Sequence, residues 1–248
     1  MRIYLTGDTH GEFERFTLER FPQQSELTRE DLAIICGDFG GVWYGDERDD
    51  VKLDFLESLP FTTLFVDGNH ENYEELYRLP VGEWHGGKVR RVREHVLHLT
   101  RGQVFELGGR RFFTMGGGKS HDVWDGILDP AAEDFAERYV ELRRRGAVFR
   151  VKYLNWWEQE LPSEAEYAEA RRNLDRVNWD VDCIITHCAP TAVQTSLKPL
   201  LRPDALTEFF TVLRERAKFQ YWFFGHYHGE KKLDGGLVLL YQHFIRLM

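Results

Sequence analysis

The residues with the most chemical potential come in short, glycine-flanked blocks. Gly7-Asp8-Thr9-His10-Gly11 sets a carboxylate and an imidazole two positions apart. Gly37-Asp38 adds a second carboxylate. Gly68-Asn69-His70-Glu71 adds an amide oxygen followed by an imidazole. His187 supplies another imidazole, and Gly225-His226-Tyr227-His228 two more, again two apart. Oxygen donors mixed with imidazole nitrogens suit first-row ions such as Mn, Fe, Zn or Co, with no cysteine required. Asp8, His10, Asp38, Asn69, His187, His226 and His228 are thus seven candidate ligands, more than one ion needs and about right for two divalent ions sharing a carboxylate. Each block alone has an ordinary explanation: Asp38 could cap a turn, and Asn69 could occupy a left-handed turn position. The joint, ordered occurrence points to metal.

Something must aim these side chains at one place. Apolar runs at 2–6, Leu32–Cys36, 63–66, Cys183–Thr186 and Tyr221–Phe224 each stop at or beside one of the blocks. They are too short for helices and too continuous for half-exposed strands, so they predict strands covered on both faces. Ligands of open α/β sheets bind beyond the carboxyl ends of the strands. That places Asp8, Asp38, Asn69, His187 and His226 at one rim of one sheet. Helices are predicted over 12–21, over 130–145 with Gly146 as its stop, over 165–177 behind a Ser163/Glu166 capping box, and over 203–217 with Pro203 in its first turn. Gly108-Gly109 reads as a hairpin turn between strands at 104–107 and 111–115, and 237–241 as a closing strand. The less regular stretch 124–157 reads as an insertion over one edge or over the cleft of a single domain spanning 1–248.

Composition narrows the partners. Hydrophobic residues at 42% and charged residues at 29% fit a globular domain with a sizeable core. A net charge of -9 suits cation binding and argues against nucleic acid, whose grip rests on clustered Lys and Arg. No apolar run approaches the roughly 20 residues that span a bilayer, so no membrane partner is expected. Cys36, Cys183 and Cys188 are odd in number and lie in apolar or motif-like stretches, as reduced thiols of a cytoplasmic protein would. The chain opens directly into a strand-like run, without the pattern of a signal peptide.

Taken together, Gly7-Asp8-Thr9-His10-Gly11, Gly37-Asp38, Gly68-Asn69-His70-Glu71, His187 and Gly225-His226-Tyr227-His228 resemble the blocks of the calcineurin-like metallophosphoesterases, over nearly the whole chain. The resemblance implies an α/β fold, a four-layer sandwich of two mixed β-sheets flanked by helices. It implies that Asp8, His10, Asp38 and His228 hold one metal and that Asp38, Asn69, His187 and His226 hold the other, with Asp38 bridging. It implies hydrolysis of a phosphoester by a hydroxide bridging the ions, with Mn the expected activator. His70 is then catalytic rather than a ligand, either protonating the leaving alkoxide or stabilising charge as a cation.

The second block departs from the phosphoprotein-phosphatase branch, which resembles Gly-Asp-x-Val-Asp-Arg-Gly. Gly41 and Val42 stand where its second Asp and its Arg would be, and Asp67 stands where it has an Arg before Gly68. The partner of the catalytic His and two phosphate-gripping arginines are therefore absent, which favours a small phosphorylated substrate, monoester or diester, over a phosphoprotein. Asp46, Asp67 and Glu71 are the candidates to orient His70. Lys119, Ser120 and His121 of a glycine-rich loop are candidate substrate contacts. Trp43, Tyr44, Tyr73, Trp124, Trp156 and Trp157 could wall a cleft. Arg143-Arg144-Arg145 at a helix end is explained by the helix dipole. A Ser/Thr phosphatase is the rival within enzymes. A protein-binding scaffold on the same fold is the rival outside them, disfavoured because no expected ligand is missing.

Overall fold

The computed structural model describes residues 1–247. The strands are β1 (Ile3–Thr6), β2 (Leu32–Cys36), β3 (Thr62–Val66), β4 (Val81–Trp84), β5 (Gly87–Arg91), β6 (Val96–Leu99), β7 (Gln103–Leu107), β8 (Arg110–Met115), β9 (Ile127–Leu128), β10 (Arg150–Val151), β11 (Cys183–Thr186), β12 (Tyr221–Phe224), β13 (Lys231–Lys232), β14 (Leu237–Leu239) and β15 (Ile245–Arg246). The helices are α1 (Glu47–Ser58), α2 (Tyr73–Arg78), α3 (Phe135–Arg145), α4 (Glu164–Arg176), α5 (Thr191–Leu197) and α6 (Ala205–Arg216). A seven-stranded sheet runs β15-β1-β2-β3-β6-β5-β4, and a six-stranded sheet runs β13-β14-β12-β11-β8-β7. Parallel pairing joins β1, β2, β3 and β6 in the first and β8, β11, β12 and β14 in the second, with antiparallel strands at the edges.

Strand alternation explains the four layers. Ile3, Leu5, Ile34, Leu64 and Val66 point inward and meet Phe105, Phe112, Ile185 and Phe223 of the other sheet in one core. The alternate residues Tyr4, Ala33, Ile35 and Phe65 face outward and are covered by Leu53 and Leu56 of α1 and Leu76 of α2. On the far side Phe113, Ile184, Trp222 and Phe224 pack under Tyr167, Leu174, Phe209, Phe210 and Leu213 of α4 and α6. Strands buried on both faces must be apolar throughout, and this is why their runs read as continuous. The expected two-sheet α/β sandwich is the observed architecture.

Several local expectations need correction. The ligand blocks do not share one sheet: Asp8, Asp38 and Asn69 follow β1, β2 and β3, whereas His187 and His226 follow β11 and β12 of the second sheet. No helix covers 12–21. The chain instead makes short 3₁₀ turns at Glu14–Phe16 and Pro22–Glu26. Arg15 is drawn inward to donate to the carbonyls of Gly7, Asp8 and Tyr241, and Pro22 cannot continue an α-helix. The helix expected from 130 starts only at Phe135, though Gly146 does end it in a left-handed conformation at φ 63°. Asp204, not Pro203, opens α6 by accepting from Leu206 and Thr207 N–H. The Ser163/Glu166 capping box forms as expected. Gly108 and Gly109 turn the β7–β8 hairpin at φ 57° and 75°, the conformation of a type I′ turn.

Residues 127–151 form a small unit of their own: β9 pairs with β10, and Leu128, Leu142 and Val151 make a satellite cluster under α3. All three cysteines are buried and free. Among the described residues no helix is long and apolar enough to cross a membrane.

Candidate metal centre

The turns after five parallel strands bring the seven predicted ligands together. Asp38 stands between two imidazole groups: its Oδ2 is 3.8 Å from His10 Nε2 and its Oδ1 is 3.3 Å from His187 Nε2. Asp8 stands between them too, with Oδ2 3.1 Å from His228 Nε2 and Oδ1 3.9 Å from His187 Nδ1. Asn69 Oδ1 lies 3.1 Å from His187 Nε2, and His226 Nδ1 lies 3.1 Å from the same nitrogen. His10 and His228 face each other, Nε2 to Nε2, at 3.2 Å. His70 is adjacent, and one ligand atom each of His10, Asp38 and His70 lie within 4.8 Å of one another.

Glycines make this convergence possible. A Cβ on Gly68 would overlap Asp38 Oδ1, and one on Gly225 would overlap Asp8 Oδ1, so each carboxylate rests against a backbone that has no side chain. The same carboxylates accept backbone hydrogen bonds: His70 N–H donates to Asp38 Oδ1 at 2.7 Å, and His226 N–H to Asp8 at 3.0 Å. Both are essentially fully buried.

Buried charge sets the proton affinities. Burial opposes ionisation of Asp38, but His187 beside it holds the carboxyl well below the usual range. Burial likewise opposes a proton on His187, yet Asp38 and Asp8 hold it there to about 10. Burial, then His187 and His121, push His226 far down. Imidazole lone pairs and carboxylate oxygens thus converge on one volume, with like donors opposed at 3.1 Å and 3.2 Å. Divalent ions take such a mixed nitrogen and oxygen set, so the residues fit them.

The surroundings differ from expectation. None of Asp46, Asp67 or Glu71 orients the His70 ring. Asp46 caps α1 and pairs with Arg48. Asp67 is buried among His98, Arg101 and Tyr73. Glu71 accepts from Phe39, Gly40 and Gly68 N–H, tying together the turns that carry Asp38 and Asn69. The ring nitrogen His70 Nε2 instead meets Arg150 Nη2 at 3.2 Å. Ser120 is turned inward, accepting from Asn69 Nδ2 at 3.2 Å and donating to Glu160 Oε1 at 2.7 Å. His121 does face the site, with Nε2 2.7 Å from His226 Nε2, and Lys119 is exposed beside it. Of the aromatic candidates, Tyr73 and Trp157 are buried and Trp124 is exposed, while Trp43 and Tyr44 line a cleft. Arg150, Glu160, Lys52 and Tyr241, which stacks on His228, carry no local motif. Only Arg150, which precedes Val151 and Lys152 in a segment that ends at Trp156-Trp157, sat in a stretch already marked as an insertion.

Two clefts flank the cluster. One of about 250 Å³ is lined by His10, Gly40, Trp43, Tyr44, Lys52 and His70. The other, of about 230 Å³, is lined by His121, Lys198, Leu201, His226, Tyr227 and His228.

The sequence profile described as calcineurin-like phosphoesterase matches residues 1–230. The chain belongs to this family. As a calcineurin-like phosphoesterase it falls among hydrolases of phosphoester bonds, as its motif blocks implied, and outside the phosphoprotein-phosphatase branch. It is similar to lariat debranching enzyme A of Xenopus laevis, 26% identical over 172 residues that make up 62% of this chain and 31% of the relative. The Drosophila melanogaster lariat debranching enzyme is 28% identical over 173 residues, 62% of this chain and 31% of that protein. The Homo sapiens enzyme is 26% identical over 176 residues, 62% and 30% respectively. The phosphoesterase described here spans about a third of the length of these curated relatives.

Proposed function

We propose that this phosphoesterase hydrolyses a phosphodiester, with Asp8, His10, Asp38 and His228 holding one divalent ion and Asp38, Asn69, His187 and His226 a second. The observation that carries the reading is the meeting of these side chains at the strand ends of two sheets, with Asp38 presenting one oxygen to each imidazole group. Two such ions, once bound, would lower the pKa of a water to near neutrality and offset phosphate charge. Asp8 and Asp38 supply the negative charge that keeps cations in a buried site. His70, at the rim of the cleft shared with Trp43 and Lys52, serves the departing oxygen. His121 and Lys198 stand on the opposite side, where the other arm of the substrate would lie.

Two clefts favour a diester, because a diester has two arms to house and a monoester has one. The relatives' name, lariat debranching enzyme, supports the same bond class and sits uneasily with an exclusion of nucleic acid. Both small diesters and a branched oligonucleotide therefore belong in the test, with Mn as the activating ion.

The test is elemental analysis paired with turnover of p-nitrophenyl phosphate, its bis-ester and a branched oligonucleotide, with Mn added. Two metal equivalents and a bis-ester preference are expected. A preference for the monoester would overturn the diester reading. A protein loaded with two ions yet inert to every ester would favour the scaffold alternative.

A further inference from the structure

His70 has a partner that no local pattern announces. Arg150 reaches it from β10, 80 positions away in the chain, and is only 8% exposed. Its guanidinium is held on three sides. Nε donates to Asp122 Oδ2 at 3.0 Å, Nη2 donates to the same oxygen, and Nη1 donates to the Asn155 carbonyl at 3.0 Å. Nη2 also meets His70 Nε2 at 3.2 Å. Arg is a donor only, so this hydrogen bond requires an unprotonated Nε2 on His70. The ring must then carry its proton on Nδ1.

Resting on the phosphodiesterase reading above, we propose that Arg150 is the positioning residue for His70: with Asp122 as its counter-ion it fixes the ring's plane and its Nδ1–H tautomer. A substrate-gripping role fits less well, because four of the five N–H groups are taken by Asp122, Asn155 and His70. Asp122 matters for a second reason: it neutralises a cation that would otherwise sit unpaired beside a site built for cations.

The anchoring is structural. Val151 N–H donates to Asn155 Oδ1 at 2.6 Å, so the loop after β10 folds back and offers the Asn155 carbonyl to Arg150. Val151 and Leu128 fix β9 and β10 through the satellite core with α3. On this reading the inserted unit is a bracket that delivers one guanidinium to one imidazole.

Nitrogen-15 NMR of the imidazoles in metal-free protein at neutral pH, with His70 assigned by difference against His70→Gln, tests the assignment directly. The wild type is expected to show an unprotonated Nε2 and a protonated Nδ1, and Arg150→Ala a mixture of tautomers. In the Mn-loaded protein Arg150→Ala should lower bis-(p-nitrophenyl) phosphate turnover about 10²-fold with metal content unchanged. Millimolar guanidinium should restore it several-fold, and Arg150→Lys should restore it only in part. A protonated Nε2 in the wild type, or an Arg150→Ala protein with unaltered tautomer and no guanidinium response, overturns the proposal. If Arg150→Ala does not fold, Asp122→Asn at the exposed end of the pair replaces it: partial loss of the tautomer preference supports the proposal and none overturns it. A wild type inert to every ester would sink the phosphodiesterase reading while leaving the tautomer result to judge Arg150 alone.

Discussion

Four of the candidate ligands hold a backbone conformation that side chains rarely adopt: His10, Asp38, His226 and His228 have φ of 49°, 46°, 68° and 48°. Each such residue costs on the order of 1–3 kcal/mol and persists only where its surroundings over-determine it. Here they do: Thr9 and His10 N–H both donate to the Asp38 carbonyl, at 3.1 Å and 2.7 Å, and His226 N–H donates to Asp8. The candidate ligands were legible from the sequence because all but His187 sit in glycine-flanked blocks and His187 ends an apolar run. The left-handed backbone was not, since the surrounding turns impose it. Neither was the partner of His70, for the carboxylates nearest in sequence are engaged elsewhere and the residue that arrives is 80 positions away. At this scale His70→Ala is expected to lower kcat by about 10²–10⁴-fold while both metals stay bound. Metal analysis of the variant checks it, and loss of both ions would make His70 a ligand instead.

At the scale of elements, legibility followed burial. Most strands covered on both faces announced themselves as apolar runs, although β6, equally buried, was missed because His98 interrupts it. The edge pair β4 and β5 did not, because Val81–Trp84 alternates exposed and half-buried positions and reads as loop. Helix α1 was hidden by its charge: Asp46 caps it, and Asp49 is buried to hold the N–H groups of Trp43, Tyr44 and Gly45 at 2.7–2.9 Å. Those bonds shape the cleft wall beside His70, so α1 positions the site rather than merely covering a sheet.

The short 3₁₀ turn Glu158–Glu160 does comparable work on the other side, where Glu160 receives Ser120, which in turn receives Asn69. Burial lifts the Glu160 carboxyl from 4.5 to about 8 despite both bonds from Ser120. Between those two values the folded metal-free protein keeps a proton that the unfolded chain has released, so this group's contribution is full below 4.5 and lost as pH rises through about 8. Glu160→Gln, neutral throughout, should match the wild type near pH 4.5 and exceed its Tm by roughly 5 °C at pH 8.5. Thermal melts of both proteins across that range check it, and a constant gap would show that Glu160 is ionised throughout.

On the scale of the whole molecule, the centre is shared between two sheets whose donor-bearing strands come from opposite ends of the chain. Asp8, Asp38 and Asn69 come from the first, His187, His226 and His228 from the second. Reading the five blocks as one rim was correct in direction and wrong in count of sheets, because nothing in a single strand says which neighbour it joins. Ions bound across that seam would stabilise only the stacked state. At 1,000 times its Kd each would add about 4 kcal/mol. Chelation should therefore lower Tm by about 10 °C or more, while Asp38→Asn should melt nearly alike with and without Mn. Calorimetry with and without chelator checks both.

The same seam makes the centre a record of assembly order. Its donors are separated by up to 220 positions, from Asp8 to His228, so no partly folded half can hold both ions. A full complement of metal would in effect be a certificate that both halves have met in register, and a chain cut in the largely exposed turn at 130–134 should regain its ions only when its two pieces are mixed.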